Sequence, residues 1–260
     1  MKPDFLTARR RFLTRGLAAL GALATAGCGK VGQSDIGQTV LHSVERLTRN
    51  VQRRFLSSDG LAPEYAEADI SPVFKPNGST APEDEDYLAL AKDDFAAYQL
   101  QIDGLVEHPA KLSLADLRAL PSRTQITRHD CVEGWSAIGK WKGVKLGDLL
   151  TSAGVKPEAR FVVFHCFDTL EPSLDGTGMY YESIDLNDAF HPQTILAYEL
   201  NGSALPVANG APLRVRIERQ LGYKMAKYIL RIELVDSFAA MGRGRGGFWE
   251  DRGYEWYAGI

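Results

Sequence analysis

The chain has 260 residues, of which 45% are hydrophobic and 24% are charged, values that are typical of a folded globular protein. A formal net charge of -3 provides no global field that would attract nucleic acid. The three cysteines, Cys28, Cys131 and Cys166, are too few for a disulfide framework, and the sequence contains no CxxC, CxxCH or HExxH motif.

Residues 1–28 have the pattern of an export signal. Three arginines (Arg9, Arg10 and Arg11) and Phe12-Leu13 precede a small, weakly apolar stretch, residues 16–27, which is shorter than the roughly 20 residues that a membrane span needs. The arrangement resembles the twin-arginine signal for export of folded proteins and predicts a periplasmic location; the alternative is a basic tail on a cytosolic protein.

The four residues that end at Cys28, Thr-Ala-Gly-Cys, resemble a lipoprotein cleavage box with Thr where Leu is usual. Two alternatives stay open: Cys28 is lipidated after cleavage and anchors the protein, or it is unmodified in a discarded segment. After this signal the sequence predicts three further parts. They are an amphipathic helix within residues 29–60, the main domain over residues 61–240, and a tail rich in Gly, Arg and aromatic residues over residues 241–260.

The main domain alternates short strands and short helices without βαβ regularity. Ser113 followed by Asp116 predicts a helix start, Gly154 predicts a helix end, and Asn201-Gly202 predicts a hairpin. The predicted elements are, in order, a helical turn at 87–91, strand 98–102, helix 113–120, strand 124–127, helix 146–153, strand 161–168, helix 184–190, hairpin strands 195–200 and 203–207, and strands 213–217 and 228–235. This order predicts an α+β fold with mixed or antiparallel sheets.

A cluster of basic residues lies between positions 214 and 231, where the only acid is Glu218. Cations beside flexible glycines suit a phosphate-bearing ligand. The alternative is a solvated strand face, on which Arg214, Arg216 and Glu218 point outward together. The six cations are Arg214, Arg216, Arg219, Lys224, Lys227 and Arg231.

Cys131 is the cysteine that we expect to carry chemistry, in the segment Arg128-His129-Asp130-Cys131-Val132-Glu133-Gly134-Trp135-Ser136. This segment, together with residues 191–202, 209–214 and 222–227, resembles the sulfite-oxidase-fold molybdopterin enzymes. That family includes sulfite oxidases and the catalytic subunits of periplasmic protein-methionine-sulfoxide reductases. Order and spacing agree from about residue 98 to residue 235, with weaker similarity from residue 73.

The resemblance implies a molybdenum-molybdopterin cofactor (Mo-MPT), with Cys131 as the thiolate ligand of the metal. It also implies cofactor contacts at several further positions. His129, beside the ligand, is predicted to move protons or tune the sulfur; the alternative is a hydrogen-bonded scaffold residue. The implied cofactor-binding residues are Phe74, Lys75, Asn77, Cys166, Asp168, Asn209, Arg214, Met225, Ala226 and Lys227. For Cys166, a buried core position is the competing interpretation.

The resemblance predicts two-electron oxygen-atom transfer to or from a small sulfur oxyanion or an S-oxide. The sequence shows no haem-binding domain, so electrons are expected from a separate haem- or quinone-linked partner. Only 24 residues follow Asp236, which predicts a monomer without the family's dimerisation domain. Sulfite, an anion, would need converging arginines, for which Arg128, Arg243 and Arg245 are candidates.

Two other functions compete with this hypothesis. One is a cofactor-free, exported binding lipoprotein on the same fold. The other is a zinc or thiol enzyme built on Cys131 and His129, although the five histidines are scattered along the chain.

Overall fold

The computed structural model describes residues 43–44, 47–52, 60–176 and 178–260. The chain divides into two compact units, residues 1–54 and residues 55–260. In the first unit, residues 43–44 and 47–52 are helical, and the remainder of that predicted helix and the predicted signal and cleavage box lie outside the described residues. Within the described part of the chain, no helix has both the length and the apolar character that a membrane span requires.

The second unit contains two five-stranded sheets and a few short helices. The helices are α1 (Glu85–Lys92), α2 (Leu114–Ala119), α3 (Leu146–Ala153) and α4 (Leu186–Ala189). The strands are β1 (Gln99–Gly104), β2 (Ala110–Ser113), β3 (Ser122–Cys131), β4 (Trp135–Lys145), β5 (Phe161–Thr169), β6 (Met179–Asp185), β7 (Ile195–Leu200), β8 (Ser203–Ala204), β9 (Arg214–Arg216) and β10 (Ile229–Val235). The α+β prediction is therefore confirmed.

The two sheets differ in strand order but share an antiparallel character. The first sheet has the order β2-β1-β10-β5-β6, in which β1 and β10 run parallel and the other neighbours antiparallel. The second has the order β3-β4-β7-β8, with β9 also paired to β7, and all its pairs are antiparallel. Strand β5 is buried along most of its length, so the main hydrophobic core lies against the first sheet.

Local chemistry explains the element boundaries that the sequence predicted correctly. The Ser113 hydroxyl accepts the Asp116 N–H and the Asp116 side chain accepts the Ser113 N–H, a capping box that starts α2. Gly154 ends α3 in the left-handed region at φ 69°. Asn201 (φ 52°) and Gly202 (φ 81°) form the tight turn between β7 and β8.

Three sequence predictions need correction. Strand β3 does not stop before the polar run at 128–130 but continues to Cys131, because inward and outward residues alternate along it. Residues 184 and 185 end strand β6 and do not begin a helix; Asp185 caps the short α4 through the Asp188 N–H. The second hairpin strand is only two residues long, and Val207 begins a 3-10 turn.

The tail is not a free extension. Phe248, Glu250 and Asp251 are buried, and Trp249 packs against the main hydrophobic cluster. The aromatic and acidic residues of the tail are therefore part of the packed structure.

Candidate active site

The hairpin of β3 and β4 presents Cys131 at its tip. Cys131 pairs with Trp135 across the hairpin, and the N–H of Gly134 donates to the Cys131 carbonyl at 3.0 Å. Gly134 has φ 85°, a left-handed conformation that side chains rarely adopt. The tight turn leaves the free thiol of Cys131 only half buried, at the end of a rigid element.

Burial raises the pKa of the Cys131 thiol, and the N–H groups of Glu133 and Val132 oppose that rise. The charges that act on the thiol are the carboxylate of Glu133 and the ammonium of Lys75. These two form an ion pair at 3.5 Å, and Lys75 also lies 5.4 Å from the ring centre of Trp135. The charged groups around the sulfur are therefore almost balanced.

His129 lies two residues before Cys131 on the same, inward face of β3 and has no solvent exposure. The guanidinium of Arg216 donates to its Nδ1 at 2.9 Å. Because a guanidinium can only donate, Nδ1 must be unprotonated and the ring proton must sit on Nε2. Burial first, and then nearby Arg216, lowers the pKa of His129 well below its usual value, so the ring is neutral.

The Nε2–H of His129 has no hydrogen-bond partner among the described residues. Gly222 approaches the ring so closely that a Cβ there would lie 2.4 Å from Nε2. A buried donor without a partner is costly, and it is usually satisfied by water or a ligand. This geometry favours a fixed donor at His129 over the predicted proton shuttle.

A carboxylate binds the Arg216 guanidinium on the side away from His129. Its Nε and NH2 donate to the two carboxylate oxygens of Glu218 at 3.0 and 2.7 Å, and the Gln125 amide donates to the same carboxylate at 2.8 Å. Arg216 and Glu218 are 0% and 4% exposed. The alternative interpretation, a solvated strand face on which Arg214, Arg216 and Glu218 point outward, is therefore wrong.

Arg214 is also fully buried, but it forms no ion pair with a carboxylate of the described residues. It donates to the carbonyls of Asn209 at 2.9 Å and Met225 at 3.4 Å, and its Nε has no partner among the described residues. Its guanidinium lies 5.0 Å from the ring centre of Trp141, which Arg216 contacts as well. Burial, and then the charge of Arg216, lower the pKa of Arg214 to about 9.

Lys227 is a second buried cation whose hydrogen bonds go to neutral groups. Its ammonium donates to the carbonyls of Asn77 at 2.6 Å, Ser79, and Ala208 at 3.3 Å. Burial, and then the charge of Arg214, lower the pKa of Lys227 to about 7. Two buried cations, of which Arg214 lowers the pKa of Lys227, form a site that an anion would stabilise.

A small cavity of about 30 Å³ lies beside Lys227 and is lined by Asp168, among others. The Ser79 hydroxyl donates to one oxygen of Asp168 at 2.8 Å, and the other oxygen has no partner among the described residues. Burial raises the pKa of Asp168. The side-chain oxygen of Asn77 is likewise buried without a partner there.

The other predicted positions differ in their surroundings. Phe74 packs edge-on against Trp141, with 5.0 Å between ring centres, so its contact is aromatic. Cys166 is 1% exposed within the main hydrophobic cluster, and burial raises its pKa well above its usual value. These surroundings favour the core interpretation for Cys166. Met225 and Ala226 are buried and follow a 3-10 turn at residues 222–224.

Sequence reasoning missed several residues that build the site. Ser79 and Gln125 carry no recognisable motif, and Glu218 was read as an exposed acid. Arg216 was noted only as a member of the basic cluster, although its alternation with Arg214 placed both on one face. Trp141, which packs against Arg214, Arg216 and Phe74, belongs to none of the motifs above.

A larger cavity of about 410 Å³ lies along β3 and is lined by residues of both faces of that strand. Arg128 and Asp130 line it and pair with each other at 2.9 Å. Both side chains lie on the face of β3 opposite to Cys131. Among the described residues, no group of three or more His, Cys, Asp and Glu side chains is arranged to hold a metal ion, as the zinc hypothesis would need.

Comparison with known proteins identifies the family. Residues 87–240 match the model of the oxidoreductase molybdopterin binding domain, which is more than half of the chain. The putative protein-methionine-sulfoxide reductase subunit YedZ1 of Azospira oryzae is 37% identical over 254 residues, covering 98% of this chain and 88% of that protein.

More distant relatives align over a shorter part. The protein-methionine-sulfoxide reductase catalytic subunits MsrP of Ralstonia nicotianae and Xanthomonas axonopodis pv. citri are each 35% identical, over 147 and 151 residues. The alignments cover 44% and 46% of those two proteins. Among solved structures, the sulfane dehydrogenase SoxCD from Paracoccus pantotrophus matches with a TM-score of 0.47 and 24% identity over 55% of this chain and 39% of that chain.

The family match confirms two predictions, a molybdopterin-binding fold and an oxidoreductase activity. The predicted individual contacts at the 12 positions from Phe74 to Lys227 stay predictions, as do the domain boundaries. The chain belongs to the oxidoreductases with a molybdopterin-binding domain.

Proposed function

We propose that this chain is an exported Mo-MPT enzyme that reduces S-oxides, with methionine sulfoxide in proteins as the substrate class. The reaction consumes two protons and two electrons: the S–O bond breaks, the sulfur is reduced to a thioether, and the oxygen leaves as water. A separate haem- or quinone-linked partner delivers the electrons. The relatives described above as subunits of protein-methionine-sulfoxide reductases support this substrate class.

One observation carries the choice of a neutral S-oxide over an anionic substrate such as sulfite. The charges acting on the Cys131 thiol are Lys75 and Glu133, which neutralise each other at 3.5 Å. Arg128 points to the opposite face of β3. An anion at Cys131 would therefore find the cation that acts on the thiol, Lys75, already paired with Glu133, whereas an uncharged S–O group needs no free cation.

The buried polar groups of the chain fit a large anionic cofactor. Arg214 and Lys227 are buried cations with no carboxylate of the described residues within ion-pair distance, and their pKa values are lowered to about 9 and about 7. The Nε of Arg214, the Nε2 of His129 and one oxygen of Asp168 also lack partners in the described part of the chain. A phosphate and the heteroatoms of a pterin would satisfy such donors and acceptors.

The chain's own residues then have distinct roles. Cys131 holds the metal through its sulfur, because a soft thiolate suits such an ion. Arg214 and Lys227 bind the phosphate, and His129 donates a hydrogen bond from Nε2. Phe74 and Trp135, which contact His129 at ring distances of 5.7 and 5.4 Å, exclude water from that side. When bound, the cofactor supplies the two-electron redox chemistry.

The test uses the full chain purified from a host that makes the cofactor and exports the protein. Molybdenum and pterin are quantified per chain, and two activities are compared: reduction of methionine sulfoxide with a reduced dye, and sulfite-dependent reduction of ferricyanide. We expect about one molybdenum and one pterin per chain and activity only in the first assay. Loss of that activity in Cys131→Ser, with pterin still bound, is the matched control.

The other possible outcomes would support different functions. Sulfite oxidation without S-oxide reduction would replace the proposed substrate class. Correctly exported protein with neither molybdenum nor pterin would contradict the enzyme proposal and support the cofactor-free binding lipoprotein.

The proposed location has its own test. Replacing Arg9 and Arg10 by lysine should hold the full chain in the cytoplasm on cell fractionation, because the twin-arginine pair is the recognised feature. Cys28→Ala should release the exported protein from the membrane fraction if Cys28 is lipidated. An unchanged distribution of the Arg9 and Arg10 variant would contradict the proposed export route. An unchanged distribution of Cys28→Ala would show that Cys28 does not anchor the protein.

A further inference from the structure

The C-terminal segment, residues 241–257, lies outside the region matched by the family and packs on strand β6. Asp251 organises its glycine-rich part: its carboxylate accepts the backbone N–H groups of Arg243 at 2.8 Å and Arg245 at 3.0 Å. The hydroxyl of Tyr181, on β6, donates to the same carboxylate at 2.8 Å. The segment is therefore hydrogen-bonded to the sheet.

A buried charge cluster joins this segment to the rest of the molecule. The ammonium of Lys224 donates to Glu182 on β6 and to Glu250 on the C-terminal segment. The three side chains are 0%, 0% and 1% exposed. Gly247 permits this close packing, since a Cβ there would lie 2.0 Å from an oxygen of Glu250.

Lys224 is the last residue of the 3-10 turn that precedes Met225, Ala226 and Lys227. The turn is closed by the Met225 N–H, which donates to the Gly222 carbonyl at 3.1 Å. The position of Lys224 therefore determines where the next three residues are presented. Its two carboxylate partners fix that position from two different elements.

The same segment reaches the site a second time, through Trp249. This side chain lines the cavity of about 30 Å³ together with Met225, Lys227 and Asp168. Trp249 is held by Tyr254, stacked at 5.3 Å, and by Phe248, edge-on at 5.2 Å. One segment thus supplies both a wall of the cavity and a support for the turn beside it.

We propose that the C-terminal segment is part of the cofactor site. Glu250 acts as a positioning residue that holds Lys224 and, through it, residues 225–227. Trp249 closes the cavity beside Lys227. This inference rests on the proposed cofactor site and extends it to residues that the family match does not include.

The test measures cofactor retention, which requires no substrate. Wild type, Glu250→Ala, Glu250→Gln and the control Glu171→Ala are purified as full chains, and molybdenum and pterin per chain are measured after gel filtration. Glu171 pairs with Arg252 of the same segment on the exposed surface. Glu171→Ala therefore shows the effect of losing a carboxylate contact of this segment that does not involve Lys224.

We expect Glu250→Ala to weaken cofactor retention about tenfold or more, as removal of an outer-shell partner typically does. Glu250→Gln should restore most of it, because an amide oxygen still accepts from Lys224. Glu171→Ala should retain the wild-type content. Trp249→Ala, which leaves the charge cluster intact, should also lose cofactor. This variant tests the inference if Glu250→Ala cannot be purified.

Thermal unfolding of the cofactor-free proteins separates positioning from general stability. Full cofactor content in both Glu250→Ala and Trp249→Ala would overturn the inference. The inference would also be overturned if the variants lost cofactor only in proportion to the fall in the unfolding temperature of their cofactor-free chains. If the wild type binds cofactor but does not reduce S-oxides, the proposed function fails while this inference stands. A wild type without cofactor overturns both.

Discussion

Replacing Lys227 by methionine should change how anion binding depends on pH. Burial and Arg214 lower the pKa of Lys227 from 10.5 to about 7. The difference of about 3.5 corresponds to about 5 kcal/mol lost by the charged form, at about 1.36 kcal/mol per pKa unit. A bound anion would recover part of this energy, so the pKa should rise when the anion binds.

The direction of the pH dependence follows from this shift. Above pH 7 the anion-free Lys227 has lost its proton and must take one up on binding. The affinity should therefore fall by up to about tenfold per pH unit between about pH 7 and 8.5, a window in which Arg214 stays charged. In Lys227→Met the affinity should be weaker at pH 7, by about 1.5–3 kcal/mol, and independent of pH in that window.

Isothermal titration of the cofactor-free full chain with sulfate measures this effect, since sulfate does not titrate in that range. Lys75→Met is the matched control, because Lys75 is 61% exposed and should leave both affinity and slope unchanged. A wild-type affinity that is constant from pH 7 to 8.5, or the same slope in Lys227→Met, would refute the reasoning.

Folding stability gives an independent check on Lys227. The folded pKa lies below the unfolded value, so the unfolded chain holds the extra proton between about pH 7 and 10.5. The contribution of Lys227 to stability should therefore rise with pH across that window, by up to about 1.4 kcal/mol per unit. Denaturant unfolding of the cofactor-free wild type and Lys227→Met should diverge in this direction, and divergence of the opposite sign would contradict the assigned burial.

Three further predictions address other parts of the site. Cys131→Ser should lose all S-oxide reduction while pterin content stays near wild type, and full activity in the variant would rule out the thiolate as the metal ligand. Gly222→Ala should lower stability by about 1–3 kcal/mol, because its Cβ would lie 2.4 Å from the ring of His129; an unchanged unfolding midpoint would mean that the ring can move. Lys75→Ala should lower the stability by under about 1 kcal/mol, since the ion pair of Lys75 with Glu133 is exposed. If this pair borders the substrate, the same variant should raise the KM for S-oxide more than it lowers kcat. A selective fall in kcat would assign Lys75 to the chemistry.

Local signals in the sequence were sufficient for many element boundaries. Ser113 and Asp116 satisfy each other's backbone groups within four residues, so no distant contact is needed to start α2. The turn at Asn201 and Gly202 needs only left-handed backbone angles. Predictions failed where the structure of a segment depends on a distant partner. Residues 184 and 185 were predicted to begin a helix, but they end β6, which is stabilised by pairing with β5 and not by a pattern in its own sequence.

The sequence by itself determined the family, because the family is recognised by motifs of residue identity and spacing, and from the same motifs it predicted the cysteine and the cations of the site. It could not determine which face of β9 is buried, since alternation shows only that Arg214 and Arg216 share a face. Arg216 can be buried because its charge is neutralised by Glu218 and because His129, 87 residues earlier in the chain, accepts a hydrogen bond from it. The tertiary structure also decided that Glu250 meets Lys224, since two groups far apart in sequence interact only after the fold has excluded water between them.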